Sequence, residues 1–499
     1  MTHDHDFDAP PYDDEDVPSI EQLKDDAPLT TDSANAEAVV RDQGKGYLYV
    51  LAWSTWLAWD GRRWATEGAR GKLQEAIKNT MRLEWSRARE RLGEAEARMQ
   101  AAALKMQKDE QAEAWAKREK NLLTWYVQSQ NQSKIEACTK RLEAMLPISH
   151  EQLDRSPWLL NVANGTIDMR TAELRSHGRD DLLTQLTEIE YHDDAACPTW
   201  TTFLSKAMGG NLELSLYLQR FVGYAATGHV SEHALLFLHG GGRNGKSTFV
   251  GTIHRIMGEY ACAAPRELLF VSKNERHPEE IARLHGKRLA ICAEVPQEAK
   301  LDEAKVKDLT GGDVVSCRRM RENSWDLHPT HSFFLSGNHK PNIAGTDDGI
   351  WRRLRLVPWL VQVAEADVDK ALPEKFWAER EGILRWIVQG CLEWQRIGLC
   401  DPEIVRGATL EYREESDAVG RYLAERVVFG AEDRIPRSQL RKDYETWCEE
   451  QGYMPLGARR FAQRLRENGV DEVSVRTGTG VANGWRGCRL RTALEYSVN

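Results

Sequence analysis

The sequence predicts a multidomain protein in which an α/β domain of the P-loop type follows a largely helical α+β N-terminal region and precedes a C-terminal winged-helix-like domain. The first observation is G-G-G-R-N-G-K-S at residues 240–247, which fits G-x-x-x-x-G-K-[ST] between an apolar stretch at 234–238 and a helix-like stretch at 248–257. The second is residues 70–146, which are rich in Ala, Glu, Arg, Gln and Lys and contain no proline. The third is residues 438–491, where a helix, a basic helix and glycine-rich strands follow one another. A chain of 499 residues can hold several such domains, since single cores stop growing at about 250–300 residues.

The composition excludes several classes of protein. The formal net charge of −10 argues against a uniformly basic nucleic-acid coat protein, although much of the acidity lies in the first few dozen residues. Nine cysteines are scattered without a C-x-x-C pair, so the sequence predicts neither a disulfide framework nor a zinc site. No apolar run has membrane-spanning length, and the first 16 residues are acidic where a signal peptide would be basic and then apolar. We therefore expect a protein of the reducing cytoplasm without a membrane partner.

The N-terminal region is predicted in three parts. Residues 1–40 are acidic with few large apolar side chains, which predicts a disordered tail. Residues 41–150 are predicted to combine a β-hairpin around the Asp60-Gly61 pair, with its tryptophans in the core, and long helices of mixed charge. Residues 151–205 are predicted to be a strand-rich segment with a turn at Asn164-Gly165.

The pattern at residues 240–247 predicts a phosphate-binding loop. Its glycines let backbone N–H groups close around phosphate oxygens, and the helix that follows adds its positive N-terminal end. Lys246 is expected to reach the terminal phosphates and the Ser247 hydroxyl to bind Mg²⁺. The predicted cofactors are therefore ATP and Mg²⁺; the alternative is a glycine turn with an incidental lysine. The predicted nucleotide-binding residues are Gly240, Gly241, Gly242, Arg243, Asn244, Gly245, Lys246, Ser247 and Thr248.

Further candidates follow the loop. Residues 287–294 form a short apolar run that ends in Glu294, where a P-loop enzyme needs a carboxylate to hold Mg²⁺ and orient water. Residues 314–335 are predicted to be a hairpin, with strands at 314–320 and 331–335. After its second strand, Asn338 places a neutral amide where a sensor of the terminal phosphate would lie.

The order of these motifs resembles that of superfamily 3 helicases. The resemblance is carried by the phosphate loop, Glu294, L-T-G-G-D at 309–313, N-H-K-P at 338–341, and G-I-W-R-R at 349–353. Within that superfamily, the chain is most similar to the helicase part of phage and plasmid helicase-primases, in the group of the poxvirus replicative ATPases. The N-terminal W-D-G-R-R-W and W-L-L-N-V-A-N-G-T-I-D runs resemble the portion that accompanies this motor.

The resemblance implies an AAA+-type domain at residues 206–365, a helical linker at 366–400 and a winged-helix-like DNA-binding domain at 401–499. It implies a homo-oligomeric ring, usually a hexamer, that moves along single-stranded DNA and works with a separate primase and other replication proteins in a bacterial or phage-infected cytoplasm. Carried over by position, Lys246, Glu294 and Asn338 are catalytic, Ser247 and Glu294 bind the metal, and Arg353 is the arginine finger, with Arg352 as second choice. The alternative is that both arginines only pair with Asp347 and Asp348. The chain departs from the pattern at residues 295–297, where many relatives carry a second acidic residue.

Candidate DNA contacts are basic residues in two places. Some lie in or near the hairpin, which resembles the central-channel hairpin of such rings, and others lie in the basic helix of the C-terminal domain; ordinary surface charges are the alternative. The predicted contacts are Lys307, Arg318, Arg319, Arg321, Arg459, Arg460 and Arg464.

The function expected from these features is that of an ATP-dependent DNA helicase for replication of a phage, plasmid or integrated element, acting on single-stranded and forked DNA. The first 150 residues show neither zinc-type cysteines nor a strand-borne carboxylate cluster, so we expect no primase activity from this chain. The alternative is an ATP-gated initiator or loader that binds DNA without unwinding it.

Overall fold

A computed structural model describes residues 30–271, 279–295, 299–319, 324–343, 348–477 and 480–492. The chain is a multidomain α/β protein with a central parallel sheet. In the described residues, no helix combines the length and the apolar content needed to cross a lipid bilayer.

The N-terminal region joins a small sheet to three long helices. It comprises α1 (Asp32–Gln43), β1 (Tyr47–Val50), β2 (Thr55–Trp59), β3 (Trp64–Ala65), α2 (Ala69–Leu104), α3 (Glu110–Gln128), α4 (Gln132–Met145) and β4 (Pro147–Ile148). The predicted hairpin is present, because Trp59 pairs with Trp64 around Gly61, whose φ is 100°. Trp56 and Trp64 are buried, as expected of core residues.

The disorder predicted for residues 1–40 is wrong for the segment that α1 occupies. Thr31 caps this helix, since its side chain accepts a hydrogen bond from the N–H of Ala34. Ala36 and Val39 are fully buried against the long helices. This burial offsets the conformational entropy lost when the segment becomes ordered, which the polar composition of residues 1–40 did not indicate. The rest of the acidic segment lies outside the described residues.

A three-stranded antiparallel sheet leads into the α/β domain. It is formed by β5 (Leu159–Val162), β6 (Gly165–Asp168) and β7 (Glu173–Arg175), with the expected turn between Val162 and Gly165. Two helices follow, α5 (Pro198–Ala207) and α6 (Leu212–Ala225). Helix α5 begins with proline at its first position, where the missing N–H costs nothing.

The α/β domain has five parallel strands in one sheet. Its elements are β8 (Leu235–His239), α7 (Lys246–Met257), β9 (Ala261–Ala263), α8 (Glu279–Ala282), β10 (Leu289–Ala293), α9 (Glu303–Thr310), β11 (Val315–Cys317), β12 (Trp325–Leu327), β13 (Ser332–Gly337), α10 (Asp348–Trp351) and β14 (Leu354–Pro358). The sheet order is β14-β8-β13-β10-β9. Along β8, Leu235 and Phe237 contact one hydrophobic core while Leu236 and Leu238 contact the other. Both faces of the sheet are therefore covered, as in other parallel sheets.

The prediction for the hairpin is wrong in its second strand. Val315–Cys317 pairs with Trp325–Leu327, and residues 331–335 instead belong to the central sheet through β13. Residues 333–335 are a continuous apolar run and the whole strand is buried, which suits a strand covered on both faces better than one arm of a projecting hairpin.

The rest of the chain completes the core and adds a compact C-terminal module. Helices α11 (Leu372–Ala378), α12 (Arg380–Ile397) and α13 (Glu403–Ser416) pack on the α/β domain, and Tyr412 of α13 lies in its core. The module comprises α14 (Ala418–Arg426), β15 (Val427–Pro436), α15 (Arg437–Gln451), α16 (Ala458–Glu467), β16 (Asp471–Thr477) and β17 (Gly480–Leu490). Its antiparallel sheet has the order β15-β17-β16 and a separate hydrophobic core, so the last domain begins near residue 417 rather than at 401.

Candidate nucleotide site

The loop between β8 and α7 makes a close turn. Its last residue before the helix, Gly245, has a φ of 84°. A Cβ atom on Gly240 would lie 2.2 Å from the carbonyl oxygen of Trp359, so only glycine fits there. Trp359 follows β14, and its N–H donates to the carbonyl of His239 at 2.7 Å. The residue after β14 and the start of the loop are thus in direct backbone contact.

Lys246 is buried inside this loop, with 5% of its surface exposed. Its Nζ donates to the carbonyl oxygens of Gly240 at 2.7 Å and Gly241 at 3.1 Å, and to the Oδ1 atoms of Asn244 and Asn338, both at 3.1 Å. Burial lowers the pKa of Lys246. A buried amine surrounded by four oxygen acceptors is poised to exchange some of them for phosphate oxygens, which form stronger charge-assisted bonds.

Strand register brings Asn338 and Glu294 to the edge of the sheet at which the loop lies. Gly337 pairs with His239 and Ser336 pairs with Ala293, so the residues that follow these three strands are neighbours. Glu294 has a φ of 60°, an uncommon conformation for this residue type. A carboxyl-bearing residue, an amide and an ammonium therefore lie at the same edge of the sheet, at the carboxyl ends of adjacent parallel strands, where open α/β sheets bind their ligands; of the three, the amide and the ammonium are in contact.

The remaining loop residues divide into exposed and buried groups. Asn244 is 4% exposed, and its Nδ2 donates to the carbonyl of Trp359 at 3.2 Å. Ser247 is exposed, as are Gly241, Gly242 and Arg243, while Thr248 is half-buried. The Ser247 hydroxyl and the exposed Glu294 carboxylate are oxygen ligands of the kind that Mg²⁺ prefers. Among the described residues, no three His, Cys, Asp or Glu side chains are grouped to hold a metal ion.

Arg353 and Arg352 precede β14 and differ in exposure. Arg353 is 8% exposed; its Nε donates to Thr310 Oγ1 at 3.1 Å and its Nη1 to the carbonyl of Gly349 at 2.7 Å. Arg352 is exposed. Asp348 pairs with Arg413 at 2.7 Å, whereas Asp347 lies outside the described residues. Of the two candidates for an arginine finger, Arg352 is the one whose side chain faces solvent.

The hairpin β11–β12 is packed against the N-terminal region. Its Trp325 lies 6.0 Å from Trp53 and 5.6 Å from His285, measured between ring centroids, and the Arg319 guanidinium lies 4.5 Å from the Trp53 ring. Burial, with a smaller effect of Arg319, lowers the pKa of His285 to about 3, so this ring is neutral near pH 7. Trp53 therefore occupies one face of Arg319, a predicted DNA contact.

The other predicted DNA contacts have different settings. Arg318 is exposed and Lys307 is half-buried on α9, while Arg321 lies outside the described residues. In the C-terminal module, Arg459 and Arg460 are exposed at the start of α16. Arg464 is mostly buried and pairs with Asp417 at 2.6 Å and Glu467 at 2.8 Å, which occupies the guanidinium within the module.

Several residues near the site were not predicted from the sequence. Arg266 lies 3.7 Å from Glu294 through Nη2. Phe203 of α5 packs against Gly245, and residues 361–364 lie beside the loop. The apolar face of α5 was visible in the sequence, but no local pattern showed that this helix returns to a loop about 40 residues later.

Three family profiles match parts of the chain. Residues 36–209 match the family described as D5 N terminal like, residues 238–353 match a family of unknown function (DUF5906), and residues 414–478 match the family described as Poxvirus D5 protein-like. The second match covers the phosphate loop, Glu294, Asn338 and both arginines. The chain is thus similar to D5-type proteins on both sides of the α/β domain.

Curated relatives come from large DNA viruses. "Putative helicase L207/L206" of Acanthamoeba polyphaga mimivirus is 24% identical over 299 residues, which are 55% of this chain and 31% of the relative. "Putative primase C962R" of African swine fever virus (strain Badajoz 1971 Vero-adapted) is 23% identical over 376 residues, 69% of this chain and 39% of the relative. "Putative helicase 022R" of Frog virus 3 (isolate Goorha) is 24% identical over 215 residues, 39% of this chain and 22% of the relative. The chain spans well under half the length of these relatives.

Among solved structures, the apo structure of the NrS-1 C terminal region (305–718) is 8% identical, with a TM-score of 0.44; the match covers 91% of this chain and 99% of the other. A second form of this region is 11% identical, with a TM-score of 0.37, and covers 60% and 78% of the two chains. Both TM-scores lie below 0.5.

Proposed function

We propose that the chain is an ATP-driven DNA helicase that acts in replication. The observation that carries the proposal is the buried ammonium of Lys246, held by Asn244 and Asn338 at the sheet edge from which Glu294 also projects. A glycine-rich turn, a lysine, a carboxylate and an amide in this arrangement supply what phosphoryl transfer needs, namely positioning and compensation of negative charge.

Two further findings support this choice over other P-loop functions. Relatives named as a putative helicase and a putative primase match 55% and 69% of this chain. The sheet also places β13 between β8 and β10, so Asn338 lies between the loop and Glu294. A central polar residue at this position can contact both the terminal phosphate and the attacking water.

Each residue of the site has a proposed role. Lys246 binds the terminal phosphates of ATP, and Ser247 with Glu294 binds Mg²⁺, which neutralises charge on the phosphates. Glu294 also orients the attacking water, and Asn338 senses the terminal phosphate. No separate catalytic base is assigned, because the segment after Glu294 begins with Val295 and Pro296.

The active unit is proposed to be a ring, with six subunits by resemblance. Strand β14 runs parallel to β8, with Leu354 opposite Leu235 and Pro358 opposite His239. Arg352 therefore precedes the sheet at one edge while the loop follows it at the other, roughly 16 Å away along five residues of strand. An arginine there cannot reach its own chain's phosphates, but it can serve a neighbouring copy, and its exposure makes Arg352 the better finger.

DNA binding is proposed at two surfaces. Arg318 of the hairpin and Lys307 on α9 would contact phosphates of a strand in the channel. Arg459 and Arg460 would do so from α16, the third helix of a winged-helix-like module in which β16 and β17 form the wing. These contacts supply affinity without sequence information, so binding should weaken steeply with salt.

The test is hydrolysis and strand displacement by the purified chain. Wild type should hydrolyse ATP faster with single-stranded DNA and displace a labelled strand from a fork, whereas Lys246→Ala should do neither. Lys105→Ala, which removes an exposed lysine from the helical N-terminal region, is the matched control and should behave as wild type. Full strand displacement by Lys246→Ala would refute the proposal.

Shared sites are tested by mixing inactive subunits. Lys246→Ala chains keep Arg352, and Arg352→Ala chains keep their loop, so mixed rings should recover part of the hydrolysis. Recovery at no ratio would contradict a finger supplied by a neighbour. Arg353→Ala should instead lower the thermal midpoint, because it leaves Thr310 and Gly349 without this hydrogen-bond donor.

The same assays separate the alternative functions. DNA-dependent ATP binding without strand displacement would favour an ATP-gated initiator or loader. Synthesis of short primers by the isolated chain would contradict our expectation that a separate primase supplies them.

A further inference from the structure

Helix α13 lies outside the predicted ATPase domain and yet contacts the segment that carries Asn338. Tyr412 is 2% exposed, and its hydroxyl donates to the carbonyl of Pro341, three residues after Asn338. On the same helix, the carboxylate of Glu415 pairs with Nζ of Lys340 at 2.6 Å. The segment after β13 is therefore attached to α13 at two adjacent residues, one by a buried bond and one by a partly exposed ion pair.

The same helix is also attached to the edge strand of the central sheet and to the short helix before it. The Oγ1 atom of Thr409 accepts a hydrogen bond from the N–H of Leu356 in β14 at 3.1 Å. The guanidinium of Arg413 pairs with Asp348, the first residue of α10, at 2.7 Å. Because these contacts are made to separate elements, α13 has a fixed position against the α/β domain.

The end of α13 continues directly into the C-terminal module. Asp417 is the one residue between α13 and α14. Its carboxylate caps α14 by accepting from the N–H of Gly420 at 2.9 Å, and it also accepts from Arg464 of α16 at 2.6 Å. A displacement of the end of α13 therefore moves the residue that anchors α16, the helix that carries Arg459 and Arg460.

We propose that α13 couples the nucleotide site to the C-terminal module, so that ATP binding changes the affinity of α16 for duplex DNA. The proposal rests on the function proposed above, because the signal begins where a phosphate of ATP would displace Asn338 from Lys246. The segment 338–341 then shifts, and its two attachments carry the shift through α13 to Asp417. Tyr412 is a positioning residue, since it contacts neither ATP nor DNA. By linkage, DNA on the module changes the affinity for ATP by the same factor.

Two substitutions weaken the attachment while keeping the volume of the side chain. Tyr412→Phe deletes only the buried hydroxyl and leaves the aromatic ring in the core. Glu415→Gln removes the charge of an ion pair that is partly exposed and contributes little to stability. Tyr422→Phe is the matched control, because it removes another buried tyrosine hydroxyl that donates to a backbone carbonyl, in this case inside the module.

The experiment measures binding of a short, labelled, blunt DNA duplex to the full chain by fluorescence anisotropy below the unfolding transition. It is carried out with Mg²⁺, with and without saturating adenylyl imidodiphosphate, a non-hydrolysable analogue of ATP. In wild type, the analogue should change the dissociation constant of the duplex by about fivefold or more, and the duplex should change that of the analogue equally. The factor should fall below about twofold in Tyr412→Phe, with duplex affinity in the absence of the analogue unchanged. Tyr422→Phe should keep the wild-type factor, and Arg460→Ala should weaken duplex binding.

The outcomes distinguish failure of this proposal from failure of the proposed function. Wild type that does not bind the analogue in calorimetry would refute the nucleotide site itself. Independent binding of analogue and duplex, or an unchanged factor in Tyr412→Phe, would overturn the coupling through α13 while leaving the nucleotide site in place. An equal loss of the factor in Tyr422→Phe, or unchanged duplex binding by Arg460→Ala, would also overturn it, because the effect would then not be specific to α13 or the duplex would not lie on α16. If Tyr412→Phe does not fold, Glu415→Gln decides, and an unchanged factor in that variant would overturn the proposal.

Discussion

Two glycines of the phosphate loop provide a stringent test of the loop geometry. A Cβ atom on Gly240 would lie 2.2 Å from the carbonyl oxygen of Trp359 and 2.8 Å from Asn244 Nδ2. Because close carbon–oxygen contacts are about 3.3 Å, roughly 1 Å must be opened between two backbone segments. A Cβ atom on Gly242 would have no heavy atom within 4 Å, and the φ of Gly242 is not positive. Alanine should therefore be costly at the first position and nearly neutral at the second.

The magnitude follows from two effects in Gly240→Ala. Overpacking costs about 1–3 kcal/mol. Displacing Trp359 also weakens the hydrogen bond that Asn244 donates to it, which is worth about 0.5–1.5 kcal/mol. A loss of about 2–4 kcal/mol in a domain of this size lowers the thermal midpoint by roughly 4–16 °C.

The assay is thermal unfolding of both variants without nucleotide, followed by ATP binding below the transition. Gly240→Ala should unfold several degrees earlier and bind ATP more weakly, because Asn244 and Gly240 also hold Lys246. Gly242→Ala should unfold within about a degree of wild type. Equal midpoints for the two variants would refute the close approach of the loop to Trp359.

Three further predictions concern other parts of the chain. Gly223→Ala should lower the thermal midpoint strongly, because its Cβ would lie 2.1 Å from a backbone nitrogen of α12. Gly407 lies on α13 with open space around it, so Gly407→Ala should raise the free energy of unfolding by up to about 1 kcal/mol through the higher helix propensity of alanine. In DNA titrations over a range of salt, Arg460→Ala should reduce both affinity and the salt slope, while Arg464→Ala should lower the midpoint with DNA affinity unchanged. Burial lowers the pKa of His331 from 6.5 to about 4. Between these two pH values the unfolded chain binds a proton at His331 that the folded chain does not bind, so the free energy of unfolding falls as the pH drops from 6.5 to about 4. The thermal midpoint of His331→Leu should therefore fall less steeply than that of wild type over the same pH range.

Much of the α/β domain could be predicted from its sequence because its signals are local. The phosphate loop lies between an apolar strand and a helix in the 23 consecutive residues 235–257, and Glu294 directly follows a five-residue strand. The Asp60-Gly61 turn and the proline-free helices are equally local. In each case the periodicity and the residues at the element's ends agree with the final fold.

The wrong predictions concern features that depend on contacts between residues far apart in the sequence. Residues 332–335 can form a strand in either a hairpin or a central sheet, and pairing with β10 and β8, far away in the chain, selects the sheet. The charge of Arg464 was visible, but its pairing with Asp417, 47 residues earlier, was not. Arg353 and Arg352 are identical residue types side by side, and only the fold separates a buried guanidinium from an exposed one.

The hydrogen bonds of Lys246 bear on how nucleotide binding could reach the rest of the chain. Lys246 has four oxygen partners within the protein, so a phosphate gains affinity only by the difference between a charged acceptor and the neutral one that it displaces. Asn338 is the partner that belongs to another element, since it follows β13. If ATP displaces this amide, the freed Asn338 side chain can turn towards the terminal phosphate, while Asn244, inside the loop and bonded to Trp359, keeps the lysine in place. Binding of ATP would then change the position of a side chain at the end of β13. Because β13 directly follows the hairpin in the chain, this change could be transmitted along a short stretch of backbone to the segment proposed to bind DNA.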